Sequence, residues 1–119
     1  CTASITAGFM AVMQALTQIH RQNPFAKKPI KDWLAAISVG LIDQQALLDL
    51  NYLEDSHTDV DMNIVMQASH DLVEIQGTGE HNVFSPQQLS ELVTLAQSGI
   101  DAVIALEKAA WPEGGALIG

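Results

Sequence analysis

The chain has 119 residues, 48% of them hydrophobic, with 14 acidic against 5 basic side chains and a formal net charge of −9. That length suits one domain with a modest core, and the apolar share excludes a disordered chain. The charge excludes a self-sufficient nucleic-acid binder, because affinity for a phosphate backbone comes largely from cations.

Residues 2–22 read as a helix. Ile5, Phe9, Val12, Met13, Leu16 and Ile19 recur at helical spacing. Thr2 or Ser4 can cap the first turn, and Asn23-Pro24 stops the last. Free N–H groups and the positive end of the dipole make such a helix start a ready anion site, although capping alone explains the hydroxyls. The lone cysteine, Cys1, excludes an internal disulfide and suits a reducing, cytoplasmic compartment. A chain opening at Cys1, beside a helix start, reads as cut from a longer one.

Residues 24–32 form a connector carrying Lys27, Lys28 and Lys31, too few cations for a convincing RNA patch. Trp33–Ile42 is an apolar run, a buried strand with Gly40 as its bulge. Asp43-Gln44-Gln45 turns the chain, and Ala46–Tyr52 returns as a second strand. Val60, Met62 and Ile64 then alternate with Asp59, Asp61 and Asn63, the period of a half-buried third strand. Ser69-His70-Asp71 turns into a fourth, Leu72–Gln76, giving an antiparallel meander. Gly77-Thr78-Gly79 reads as a turn, since it lacks the rest of any nucleotide fingerprint.

Ser85-Pro86-Gln87-Gln88 is a helix start with Ser at the cap and Pro at the first position. The stripe from Leu89 to Glu107, nearly all apolar, is core packing, Trp111-Pro112 closes the helix, and residues 113–119 read as a frayed tail. No apolar run approaches the length of a membrane span, and no secretory leader is visible. The expected fold class is α+β: an antiparallel four-stranded sheet with two helices packed on it, in one domain spanning residues 1–119.

The chemistry concentrates in residues 53–63, where Glu54, Asp55, Asp59 and Asp61 stand with His57 and Asn63. Three readings compete. A calcium loop opening at Asp59 fails, because it needs Gly at its sixth position and Glu at its twelfth, where this chain has Ile64 and His70. A solvated acidic strand face is the common fate of such runs. The third reading brings Asp55 beside Asp61 as a carboxylate pair, usable as acid and base or as a shared Mg²⁺ site. His57, His70 and His81 lack zinc-ligand spacing and are read as surface residues.

Four stretches, in order, shift the balance among these readings. Thr2-Ala3-Ser4-Ile5-Thr6, Ala35-Ala36-Ile37-Ser38-Val39-Gly40, Glu54-Asp55-Ser56 with Asp61-Met62-Asn63, and Glu74-Ile75-Gln76-Gly77-Thr78 with Glu80 resemble the C-terminal half of ribonuclease PH. The resemblance runs to about Trp111 and implies half of a fold of the ribosomal protein S5 domain 2-like type. It implies a phosphate-dependent 3′→5′ exoribonuclease that trims tRNA ends, needs Mg²⁺ and assembles as a hexameric ring. In this resemblance Asp55 and Asp61 are the catalytic aspartates and candidate Mg²⁺ ligands. Thr2, Ala3 and Ser4 mark the phosphate-binding helix start. Two departures stand out: Cys1 occupies the position of the family's arginine, and Ala7-Gly8 reverses its Gly-Ala. A thiol cannot replace a bidentate guanidinium–phosphate contact. The alternatives are a structural or oligomerisation module of the same fold without activity, and an unrelated acidic metal-binding domain.

Overall fold

The computed structural model describes residues 2–48, 59–79 and 83–119, with side chains from Ser4 onward. In chain order it contains α1 (Thr2–Gln22), β1 (Leu34–Ile42), β2 (Gln45–Leu48), β3 (Val60–Gln67), β4 (Leu72–Thr78), α2 (Pro86–Ala110) and a 3-10 helix, η1 (Pro112–Leu117). The α+β class is as expected: four antiparallel strands with two long helices on them.

The strand order is β2-β1-β3-β4, not the sequential meander that the short turns predict. β1 is the reason. Ala35, Ile37, Val39 and Leu41 are all at most 3% exposed, and so apolar a strand is most stable with a partner on each side. β2 pairs only with Val39–Ile42, whereas β3 pairs with β1 over Leu34–Leu41. The turn between β1 and β2 is two residues, Asp43 (φ 50°) and Gln44 (φ 64°). Positive φ at both central positions matches the twist of a tight hairpin. Gly40 sits in regular register, opposite Leu47 and Asp61, so it is no bulge. The irregularity lies instead between Val65 and Met66, where β3 meets β4.

β4 extends through Gly77 and Thr78, which pair with Met62 and Asp61, so those two residues are strand rather than turn. Gly77 lies close to Met62: a Cβ there would meet Met62 Cε at 2.9 Å, so the end of that side chain would have to shift. Residues 49–52, where β2 was expected to continue, lie outside the described residues.

α2 starts as its sequence dictates. Ser85 Oγ accepts from Gln88 N at 3.1 Å and Gln88 Oε1 accepts from Ser85 N at 2.8 Å, a complete capping box. Its buried stripe, Leu92, Ala96, Gly99, Ile100, Ile104 and Glu107, recurs every three to four residues and faces the sheet. Met62, Ile64 and Met66 of β3 meet the same core. At 25 residues and a mean hydropathy of 1.4, α2 is long and apolar enough to cross a membrane, contrary to the reading of its sequence. Its apolar side is spent on the sheet instead.

The tail is not frayed. Gly114 and Leu117 are buried, and Ile118 bridges Ile30 in parallel. Ile30 N donates to Leu117 O at 3.1 Å and Gly119 N to Ile30 O at 3.1 Å. Glycines read as flexible in the sequence serve as close-contact residues here. A Cβ on Gly114 would lie 2.5 Å from Met13 Cε and 2.8 Å from Trp33 Cη2. Polar contacts also join this segment to α1: Arg21 with the Glu113 carboxylate, and Trp111 Nε1 donating to Thr17 Oγ1 at 2.9 Å.

Candidate active site

Asp61 stands second on β3, between Gly40 of β1 and Thr78 of β4. The period of two sends Val60, Met62 and Ile64 into the core, each at most 1% exposed, and leaves Asp61 on the exposed side. Its register neighbours are Gly40, which has no side chain, and Thr78, which carries a hydroxyl. Asn63 shares its face, two residues along, and accepts through Oδ1 from Ser38 Oγ at 2.9 Å. This cross-strand bond ties the polar face of β3 to β1 beside Asp61. Ser38 sits inside the apolar run of β1, and only its register with Asn63 reveals its partner.

Asp59 does not join that face. It lies in a bend before β3, its N–H donating to Leu41 O at 2.9 Å and its Oδ2 accepting from Asp43 N at 3.2 Å. It is committed to holding the β1–β2 turn. Asp55, Glu54 and His57 lie outside the described residues, as does His81. His70 is half-buried rather than simply exposed, and its Nε2 is 2.7 Å from Asp101 Oδ1.

The helix start at Thr2, Ala3 and Ser4 is oriented by two contacts. Thr6 Oγ1 accepts from Ala36 N at 3.3 Å, and the Phe9 ring lies 6.3 Å from that of Trp33. Ala36 N–H points to the side of β1 that described β2, ending opposite Val39, does not reach. Thr6 satisfies that donor, which described β2 does not reach. Contact first with Ala36 and then with Trp33 runs α1 antiparallel to β1. Its first turn is therefore directed past Ala36, toward the Ser38–Gly40 end of the strand and the rung that carries Asp61. Ser4 is exposed in that turn. Cys1 lies outside the described residues, and so do the side chains of Thr2 and Ala3.

For a metal, among the described residues no three carboxylate, imidazole or thiol groups cluster as a cage. Asp61 supplies one hard oxygen donor. Mg²⁺ is commonly held by one or two carboxylates together with substrate phosphate and water, so a single aspartate on this face fits that mode and not an all-protein cage. Lys27, Lys28 and Lys31 are exposed in the connector.

The signature of the 3′ exoribonuclease family, domain 2, matches residues 32–99. Among curated proteins the chain is similar to ribonuclease PH of Listeria welshimeri, 49% identical over 108 residues, covering 90% of this chain and 44% of that protein. Ribonuclease PH of Syntrophomonas wolfei is 50% identical over 107 residues, covering 90% of this chain and 45% of that protein. For that of Moorella thermoacetica the identity is 47% over 107 residues, with 90% and 43% covered. The chain thus spans less than half the length of these relatives.

Proposed function

The chain belongs to the 3′ exoribonuclease family through its second domain, and from that premise we propose that it carries the catalytic aspartates of a phosphate-dependent 3′→5′ exoribonuclease acting on tRNA ends. The observation that carries this reading is the place of Asp61: an exposed position on β3, in register with Gly40 and Thr78, on the rung toward which α1 directs its first turn. Inorganic phosphate, held at the start of α1 by free N–H groups of Thr2, Ala3 and Ser4, attacks the terminal phosphodiester. A bond forms from the phosphate oxygen to the phosphorus of the last nucleotide. The bond to the preceding 3′ oxygen breaks, and a nucleoside diphosphate leaves.

The departing 3′ oxygen needs a proton or a cation. Asp61 supplies the proton as general acid, or would be a ligand of Mg²⁺. Asp55 would help to hold that metal or tune the acidity of the pair through like charge. Bound Mg²⁺ would offset the charge developing on the reacting oxygens. The N–H groups of α1 fix the attacking phosphate, and the Ser38–Asn63 bond holds the strand face on which Asp61 stands.

With a net charge of −9, the cations that grip RNA come from outside this chain, from the other half of the protein or from partner subunits in a cytoplasmic ring-shaped homo-oligomer. The same charge and Cys1 in the arginine position favour a second reading, a structural and oligomerisation module without activity. One experiment separates them. The assembly is incubated with tRNA, phosphate and Mg²⁺, and nucleoside diphosphates are measured. Asp61→Asn is expected to lower the rate by about 10²- to 10⁴-fold, the usual worth of a general acid. An unchanged rate removes Asp61 from the mechanism, and no diphosphate from the native assembly favours the structural module.

A further inference from the structure

Glu107 is the one charged residue among the buried residues described, at 3% exposure. It continues the core-facing stripe of α2 after Ile100 and Ile104. Neither Oε1 nor Oε2 has a hydrogen-bond partner among the described residues. It lies near the end of α2, where Trp111 N donates to Glu107 O at 2.9 Å and the chain turns into η1. From there Gly114 closes on Met13 and Trp33, Leu117 is 1% exposed, and Ile118 bridges Ile30.

The ionisable groups at this end of the fold are otherwise engaged or exposed. On α1, His20 Nδ1 accepts from Phe25 N at 3.1 Å, and Arg21 pairs with Glu113 of η1. Before β1, Asp32 accepts from Trp33 N at 2.8 Å and Ser69 N at 3.0 Å, and the Lys28 stem lies against Gly119. In the β3–β4 turn His70 pairs with Asp101 of α2, and Lys108 is exposed. None of these is hydrogen-bonded to Glu107.

We propose that Glu107 is a pH-operated latch on the C-terminal cap, the unit formed by the last turn of α2, η1 and the bridge to Ile30. As a neutral acid it stays buried and the cap is closed. When its proton passes to water, an anion is left in an apolar site with no donor, a state that opening relieves by letting water in. Opening would also release Trp111 from Thr17 and Glu113 from Arg21, polar ties that hold α1 from this side.

Burial raises the Glu107 pKa from 4.5 to about 7. The sign follows: the open state loses the proton first, so closure is fully favoured below 4.5, weakens as pH rises, and levels off above about 7.

Both tryptophans of the chain, Trp33 and Trp111, pack at Gly114 in the cap. Their emission and the exchange of the Gly119 amide, corrected for intrinsic rates, therefore report opening. Over this window the opening constant of the native chain is expected to rise by up to about tenfold per pH unit, with a red shift in emission. Glu107→Gln, and independently Glu107→Leu, should abolish the step, while His20→Asn and His70→Asn should keep it. A step that survives both Glu107 variants, disappears with a histidine variant, or is absent from the native chain overturns the latch.

Discussion

The same substitution in the two helices is expected to have opposite signs. At Gly99 an alanine methyl would lie 2.9 Å from Leu48 Cδ1, 3.0 Å from Ile37 Cγ1 and 3.1 Å from Leu48 Cδ2. Carbon atoms prefer about 3.5–4.0 Å, so the neighbours must retreat by about half an ångström. Leu48 is half-buried at the end of described β2 and can rotate. Ile37 is 3% exposed and β-branched, and its Cγ1 has nowhere to go. Overpacking of this kind costs about 1–3 kcal/mol, against about 1 kcal/mol gained by replacing a helical glycine with alanine. Gly99→Ala is therefore expected to destabilise by about 1 kcal/mol. At Gly8 nothing among the described residues lies within 4 Å of the added methyl, so Gly8→Ala keeps the full propensity gain, about 1 kcal/mol. Urea unfolding at constant m-value should move the two midpoints in opposite directions. Adding Ile37→Ala to Gly99→Ala should cost less than the sum of the two single changes, because the contact that cannot relax is with the side chain removed. Equal stabilisation by both glycine variants would refute the close approach of α2 to the sheet.

Two further substitutions test the ends of the helices. Thr17→Val removes the acceptor of the Trp111 indole N–H; leaving that half-buried donor unpaired should cost about 1–3 kcal/mol in denaturant unfolding and shift the tryptophan emission. Ser85→Ala breaks the capping box of α2 and should cost about 1 kcal/mol, measurable as a lowered thermal midpoint, whereas Ser85→Asp should retain most of the stability.

What could be read directly from the residues was local. The helical spacing of residues 5–19 placed α1, Ser85-Pro86 placed the start of α2, and the alternation from Val60 to Ile64 put Asp61 outside and Met62 inside. These signals depend on neighbours within one or two turns or rungs, and the backbone obeys them in almost any context. Strand order could not be read this way, because it follows from which distant pairings bury β1 best: β3 covers it from Leu34 to Leu41, whereas described β2 reaches only Val39 to Ile42. The order of the tail was equally non-local, since the glycines at 114 and 119 fit against Met13, Trp33 and Lys28, side chains up to about a hundred residues earlier. The helical period already put Glu107 on the core-facing stripe, but only the packed structure decided that its carboxylate would be sealed there without a partner among the described residues, because burial is a property of what folds over a residue.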